Sequence, residues 1–271
     1  MKRKALAGVI TAALIIIIAA LAAVLASSKT RYPQPSDTLL KDTKLRLDTG
    51  NISEGYFMAG IRPNTARRYK LRVIKDGVTL TYDIKNDGTM EVFPLQLGNG
   101  NYKIALYENI SGKSYSNAGS IHVNVRLSDE NVPFLYPSQY VWYTEDSEIV
   151  DKADTLCENK TDEQAFDAVC RFMKNSFGYD FIKATTIKAG TMPDIDGCYA
   201  KKKGVCQDLA AITVGMLRSQ GIPAKLMIGY ADKSYHAWVS AIVDGKEEFF
   251  DPTAAIGALG KVKKYTVERF Y

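Results

Sequence analysis

Three side chains in the second half of the chain could together do thiol chemistry. They are a cysteine in Gly204-Val205-Cys206-Gln207-Asp208, a histidine in Tyr235-His236-Ala237-Trp238 and an aspartate in Phe250-Asp251-Pro252-Thr253. A thiol attacks a carbonyl only as thiolate, so it needs a base, and an imidazole base works best with a carboxylate that orients the ring and stabilises its protonated form. Taken singly, each residue has an ordinary explanation. A cysteine opening an apolar helix is commonly a small packed residue, a strand histidine is commonly structural, and Asp-Pro ends many strands as a turn. The order and the elements in between make the group specific.

Those elements can be read from spacing. Leu209, Ile212, Met216 and Leu217 recur on one helical face that Gly221 and Pro223 close, so Cys206 opens a helix. Free backbone amides and the helix dipole favour negative charge at that position and can hold an oxyanion. His236 to Val243 alternates as a strand, Asp244-Gly245 is a two-residue turn signal, and Lys246 to Asp251 is the return strand. If Val243 faces Lys246, Trp238 falls opposite Asp251 and His236 opposite Thr253. His236 and Asp251 are then diagonal neighbours on one face, about 7–8 Å apart at the side-chain roots. A loop of odd length would turn them to opposite faces.

These stretches, with Leu217-Arg-Ser-Gln-Gly-Ile-Pro223, resemble the core motifs of the transglutaminase-like superfamily, particularly its bacterial extracytoplasmic members, over about Asp162 to Thr253. The resemblance implies an α+β, papain-like core with Cys206 as nucleophile, His236 as general base and acid, and Asp251 as its partner. It implies acyl transfer through a thioester on protein or peptide amides, of the cell envelope among others. The superfamily includes cross-linking acyltransferases, peptidases, deglycosylating amidases and members without activity. Hydrolysis is therefore expected ahead of cross-linking, and a catalytically silent surface interaction protein is the competing reading. Trp238 shares the inferred face of His236 and is expected either to line a substrate channel or to pack in the core. Tyr179, beside Asp180, resembles a tyrosine-aspartate pair of similar bacterial proteins and is the second candidate for substrate contact. Gln207 follows the nucleophile and is not assigned an oxyanion role.

No cofactor is expected. There is no compact acidic loop to supply calcium with enough oxygens. The two histidines, His122 and His236, fall in different predicted domains and the cysteines lack close paired spacing, so no metal site is expected either. Cys157, Cys170 and Cys198 can pair in three ways that leave one thiol over. Cys170 also suits simple packing on a helix face. A disulfide from Cys198 to Cys206 would switch off the nucleophile.

Elsewhere in the chain, Thr161-Asp-Glu-Gln164 fits a capping box ahead of Phe166, Val169, Cys170, Met173 and Phe177 at helical spacing, and Ala184 to Gly204 reads as a long loop. From Tyr56 to Leu127 short alternating runs separated by Asp76-Gly77, Gly98-Asn-Gly100 and Ser111-Gly112 predict a small all-β sandwich without a catalytic cluster. His122 stands alone in one of these strands. At the start, Lys2-Arg-Lys4 precedes an uncharged apolar run to Ser28. A spanning helix needs about 20 such residues and a signal peptide about 7–15, so length favours a membrane anchor, while Val24-Leu-Ala26 followed by Ser27 is an acceptable cleavage site.

The expected organisation is a signal anchor or signal peptide over 1–28, a linker over 29–53, the β-sandwich domain over 54–130 and the transglutaminase-like domain over 131–271. The basic start would stay in the cytoplasm. The remainder would then lie outside, single-pass at the cell membrane, or secreted if the segment is cleaved. The chain has 271 residues with 46% hydrophobic and 24% charged, enough for two buried cores. Its net charge of +5 is scattered, and no basic stripe interleaves with aromatics, so nucleic acid is not an expected partner.

Overall fold

Alternation of apolar and polar residues governs the first half of the chain in the computed structural model, which describes residues 32–62, 67–188 and 190–271. Strands β1 (Leu39–Asp42), β2 (Leu45–Asp48), β3 (Tyr56–Ile61) and β6 (Glu91–Pro94) form one antiparallel sheet in the order β1-β2-β3-β6. Strands β4 (Tyr69–Lys75), β5 (Val78–Ile84), β7 (Gly100–Ser111) and β8 (Ser114–Val125) form another, in the order β5-β4-β7-β8. Leu45, Leu47 and Ile61 of the first sheet and Leu71, Val73 and Leu106 of the second are completely buried in one common core. Asp76 and Gly77 turn between β4 and β5 with φ of 48° and 79°, the pair of positive values that a two-residue hairpin of this hand requires.

One expectation for this half is corrected. The segment read as a linker over 29–53 contains β1 and β2, because Leu45-Arg-Leu47-Asp48 is an alternation too short to stand out by itself but long enough to bury two leucines. The apolar segment over 1–28 lies outside the described residues. Among the described residues no helix is long and apolar enough to cross a membrane.

The second half is mixed α+β. Helices α1 (Glu148–Cys157) and α2 (Asp162–Ser176) come first, followed by the two-residue strand β9 (Gly178–Tyr179). Thr161 caps α2 as expected: its hydroxyl accepts from Gln164 N at 3.3 Å while its own N–H donates to the Gln164 side chain at 3.2 Å. The stretch read as a long loop holds α3 (Phe181–Thr186), α4 (Ile195–Lys201) and β10 (Lys203–Gly204). Gly197 and Pro193 suggested a break, but Asp180 and Asp194 cap the two helices by accepting from Lys183 N and Gly197 N at 2.9 and 3.0 Å. Pro193 thus precedes a cap, where a proline costs the helix nothing.

Helix α5 (Cys206–Ser219) is the centre of this half, with every residue from Asp208 to Ser219 buried. It packs on strands β11 (Ala224–Ala231) and β12 (Ser234–Val243), which continue through β13 (Lys246–Phe250) and the short helix α6 (Pro252–Ala255) to β14 (Tyr265–Phe270). These strands form an antiparallel sheet in the order β13-β12-β11-β14.

Arg218, near the end of α5, is 0% exposed, and its partners are three backbone carbonyls: Ala224 at 2.8 Å, Tyr136 at 2.7 Å and Tyr271 at 2.9 Å. Burial lowers its ionisation to about 10, still charged at neutral pH. One guanidinium therefore ties α5, the segment before α1 and the end of β14 together. Arg218→Met takes a donor from three carbonyls, of which Tyr271 O keeps its bond from Leu226 N, and leaving the other two short costs about 1–3 kcal/mol each. A loss on the order of 3 kcal/mol or more is expected in urea unfolding, and a loss below about 0.5 kcal/mol, typical of surface changes, would contradict the assignment.

Candidate active site

Cys206 is held by the turn that opens α5. Asp208 is completely buried, and its carboxylate accepts from Val205 N at 3.0 Å and from Asp194 N at 3.1 Å while pairing with Lys183 Nζ at 2.8 Å. One carboxylate thus clamps the residue before the thiol, the start of α4 and the end of α3's first turn. Gln207 is used structurally as well, donating to Thr191 O at 2.9 Å. Tyr179 pairs with Gly204 across the parallel β9–β10 contact, which brings its ring beside the thiol. Its hydroxyl ionisation is raised by burial and by the neighbouring Cys206 and Asp208.

The β12–β13 register is the expected one. Val243 faces Lys246 and Val239 faces Phe250, around Asp244 and Gly245 with φ of 48° and 75°. His236 Nε2 meets Asp251 Oδ2 at 2.9 Å with both residues buried, at 4% and 5% exposure. The other carboxylate oxygen caps α6, accepting from Thr253 N at 2.9 Å and Ala254 N at 3.1 Å, and Tyr265 donates its hydroxyl to Oδ2 at 2.8 Å. Burial disfavours both charges. Yet the hydrogen bonds of His236 with Asp251 and with Cys206 win, holding the imidazole up at about 9, and those on Asp251, that from His236 foremost, hold the carboxyl below its ordinary value. With Nε2 on Asp251, Nδ1 is the ring nitrogen left for Cys206.

Cys206, His236 and Tyr179 line a cleft of about 470 Å³ together with Gln207, Tyr235 and Arg269. Trp238 resolves to the core reading: it is 3% exposed, packed edge-on against Tyr265 at 5.0 Å and parallel to the His236 ring at 6.4 Å. The four cysteines are free thiols, so none of the possible pairings, the Cys198–Cys206 bond included, is formed; Cys198 accepts from Lys183 Nζ at 3.4 Å. Burial pushes Cys198 up to about 11 and Cys170 up to about 12. Among the described residues no three His, Cys, Asp or Glu side chains gather as metal ligands. A second cavity of about 460 Å³, lined by Met90, Trp142 and Met192 among others, contains none of the expected site residues. Sequence reasoning missed Tyr265, Lys183 and Arg269. Tyr265 and Arg269 lie beyond the span over which motifs were recognised, and Lys183 lies just before the segment taken for loop, in a helix the spacing did not reveal.

Residues 150–250 match the family model of the transglutaminase-like superfamily, and the chain carries a transglutaminase-like core in a mixed α+β fold. An uncharacterized protein of Mycobacterium leprae is 30% identical over 92 residues, which is 34% of this chain and 31% of that protein. The match thus spans about a third of that relative's length. The fold overlaps in part with a candidate cysteine protease of Cytophaga hutchinsonii, at 16% identity, 73% of this chain, 78% of that chain and a TM-score of 0.39. It also overlaps with the periplasmic domain of TgpA from Pseudomonas aeruginosa, at 15% identity, 83% of this chain, 78% of that chain and a TM-score of 0.38.

Because the folded imidazole titrates above its ordinary 6.5, the pair stabilises the fold fully below that value and ceases to do so as pH rises through about 9. The chain has two histidines, so His236 can be followed singly by NMR. It is expected to titrate near 9, and Asp251→Asn should move the midpoint down and flatten the alkaline fall in stability. A midpoint unchanged by Asp251→Asn would contradict the pairing.

Proposed function

We propose that Cys206, His236 and Asp251 act as a catalytic triad for acyl transfer on protein or peptide amides outside the membrane, with hydrolysis, as a peptidase or amidase, the principal outcome. The observation that carries this reading is the buried 2.9 Å contact between His236 and Asp251, with Cys206 and the His236 ring lining one cleft.

Cys206 attacks as thiolate beside the His236 ring, which already carries the proton as imidazolium at neutral pH, and Asp251 stabilises that charge from the far side. The thiolate sulfur adds to the amide carbonyl carbon, and the carbonyl oxygen takes up negative charge at the open amides of the first turn of α5. The C–N bond then breaks as His236 returns its proton to the leaving amine, and the acyl group stays on sulfur as a thioester. Water, or a second amine for cross-linking, gives its proton to His236 as it attacks the thioester, and the thiolate departs. Tyr265 keeps the carboxylate in place beneath the ring. Tyr179 contacts the substrate at the cleft wall. The N-terminal segment, as anchor or cleaved signal, would place the site among cell-envelope polypeptides.

At about pH 7, Cys206 is expected to be alkylated by iodoacetamide well ahead of Cys157, Cys170 and Cys198, and to lose that lead in His236→Ala. Turnover of a peptide pool should vanish in Cys206→Ala and fall about 10²–10⁴-fold in His236→Ala. If Cys206 alkylates no faster than the other thiols, with or without His236, the chain is a silent scaffold and the proposal fails.

A further inference from the structure

The pairing of β14 with β11 contains an irregularity beside the cleft. Tyr265 faces Ala231, Thr266 faces Tyr230 and Val267 faces Gly229, but the next pair is Arg269 with Ile228, and Phe270 then faces Met227. Glu268 is skipped. Uninterrupted pairing would have set Glu268 opposite Ile228, and Ile228 lines the cleft with Cys206 and His236. The bulge therefore exchanges an anion for a cation in the lining of the cleft that holds Cys206 and His236, in keeping with the way bulges re-aim side chains beside sites.

The glycine opposite the bulge permits it. A Cβ on Gly229 would lie 2.0 Å from Thr266 O and 3.0 Å from Glu268 N, so no other residue lets β14 approach this closely. The re-aimed guanidinium donates to the Tyr235 hydroxyl, and both residues line the cleft. Lys188 supplies a second cation to the lining, and none of the described lining residues is Asp or Glu. The nearby carboxylate of Asp251 has its oxygens committed to His236, Tyr265 and the amides of Thr253 and Ala254.

From this geometry we infer that the acyl donor carries a free carboxylate close to the carbonyl that Cys206 attacks, and that Arg269 is the residue that selects it. The inference rests on the proposed thiol chemistry. A guanidinium presents paired N–H donors that match the two oxygens of a carboxylate, whereas a neutral donor would leave that cation without a counter-charge in the cleft. Arg269 is a specificity residue: it takes no part in the proton transfers.

The test compares alkylation of Cys206 by iodoacetate and by iodoacetamide, two reagents alike in size that differ in a carboxylate, followed by peptide mass spectrometry at low ionic strength. The ratio of iodoacetate to iodoacetamide rates is expected to fall roughly tenfold in Arg269→Gln, further in Arg269→Glu, and to be largely retained in Arg269→Lys. Glutarate should protect Cys206 from iodoacetamide in the natural chain and not in Arg269→Gln. A ratio that ignores the charge at 269, with no protection by glutarate, overturns the inference. Uncharged iodoacetamide alone reads the nucleophile, so slow reaction with it in the natural chain would instead overturn the thiol chemistry itself.

Discussion

The hydrogen bond between His236 and Asp251 is the contact on which the proposed chemistry depends, and it exists only because the β12–β13 hairpin turns in two residues. Asp244 and Gly245 both adopt positive φ, Val243 meets Lys246, and the register carried down the strands leaves His236 and Asp251 on one face at 2.9 Å. One residue more in the turn would direct the two to opposite faces. The contact is also costly, since both groups are buried and their charges are disfavoured there. It persists because Asp251 is satisfied on every side, by the ring, by Tyr265 and by the two amides it caps. These contacts fix the orientation of the carboxylate, and the carboxylate in turn orients the ring.

The sulfur is placed by a separate mechanism. Asp208 gathers Val205, Asp194 and Lys183 around the start of α5, while the rest of that helix is buried against the sheet that carries His236. Arg218, deep in the same helix, fastens its far end to the segment before α1 and to the end of β14. The helix that presents the thiol and the strand that presents Arg269 are thus linked through one guanidinium, and the cleft between them has walls fixed at both ends.

Much of this could be read from the chain in advance because the decisive signals are local. The Asp244-Gly245 turn gave the register, the Thr161-Gln164 pair gave the start of α2, and the periodicity from Leu209 to Leu217 gave α5. What escaped prediction is non-local or short. Leu45 and Leu47 are two apolar positions in a four-residue strand, buried only once β3 lies beside them. The Pro193-Asp194 step looked like a break and is a helix start. Tyr265 reaches Asp251 across 14 residues, and the bulge that aims Arg269 into the cleft follows from the absence of a Cβ at Gly229, a strand away. No spacing rule along one strand reports which residue its neighbour will skip.

The proposed reaction passes through a covalent thioester on Cys206. Intact-mass spectrometry of the chain, acid-quenched within the first turnover of a peptide pool, is expected to show an acyl adduct that maps to Cys206, disappears with hydroxylamine and never forms in Cys206→Ser. Release of product with no adduct on Cys206, or with an adduct elsewhere in the chain, would contradict it.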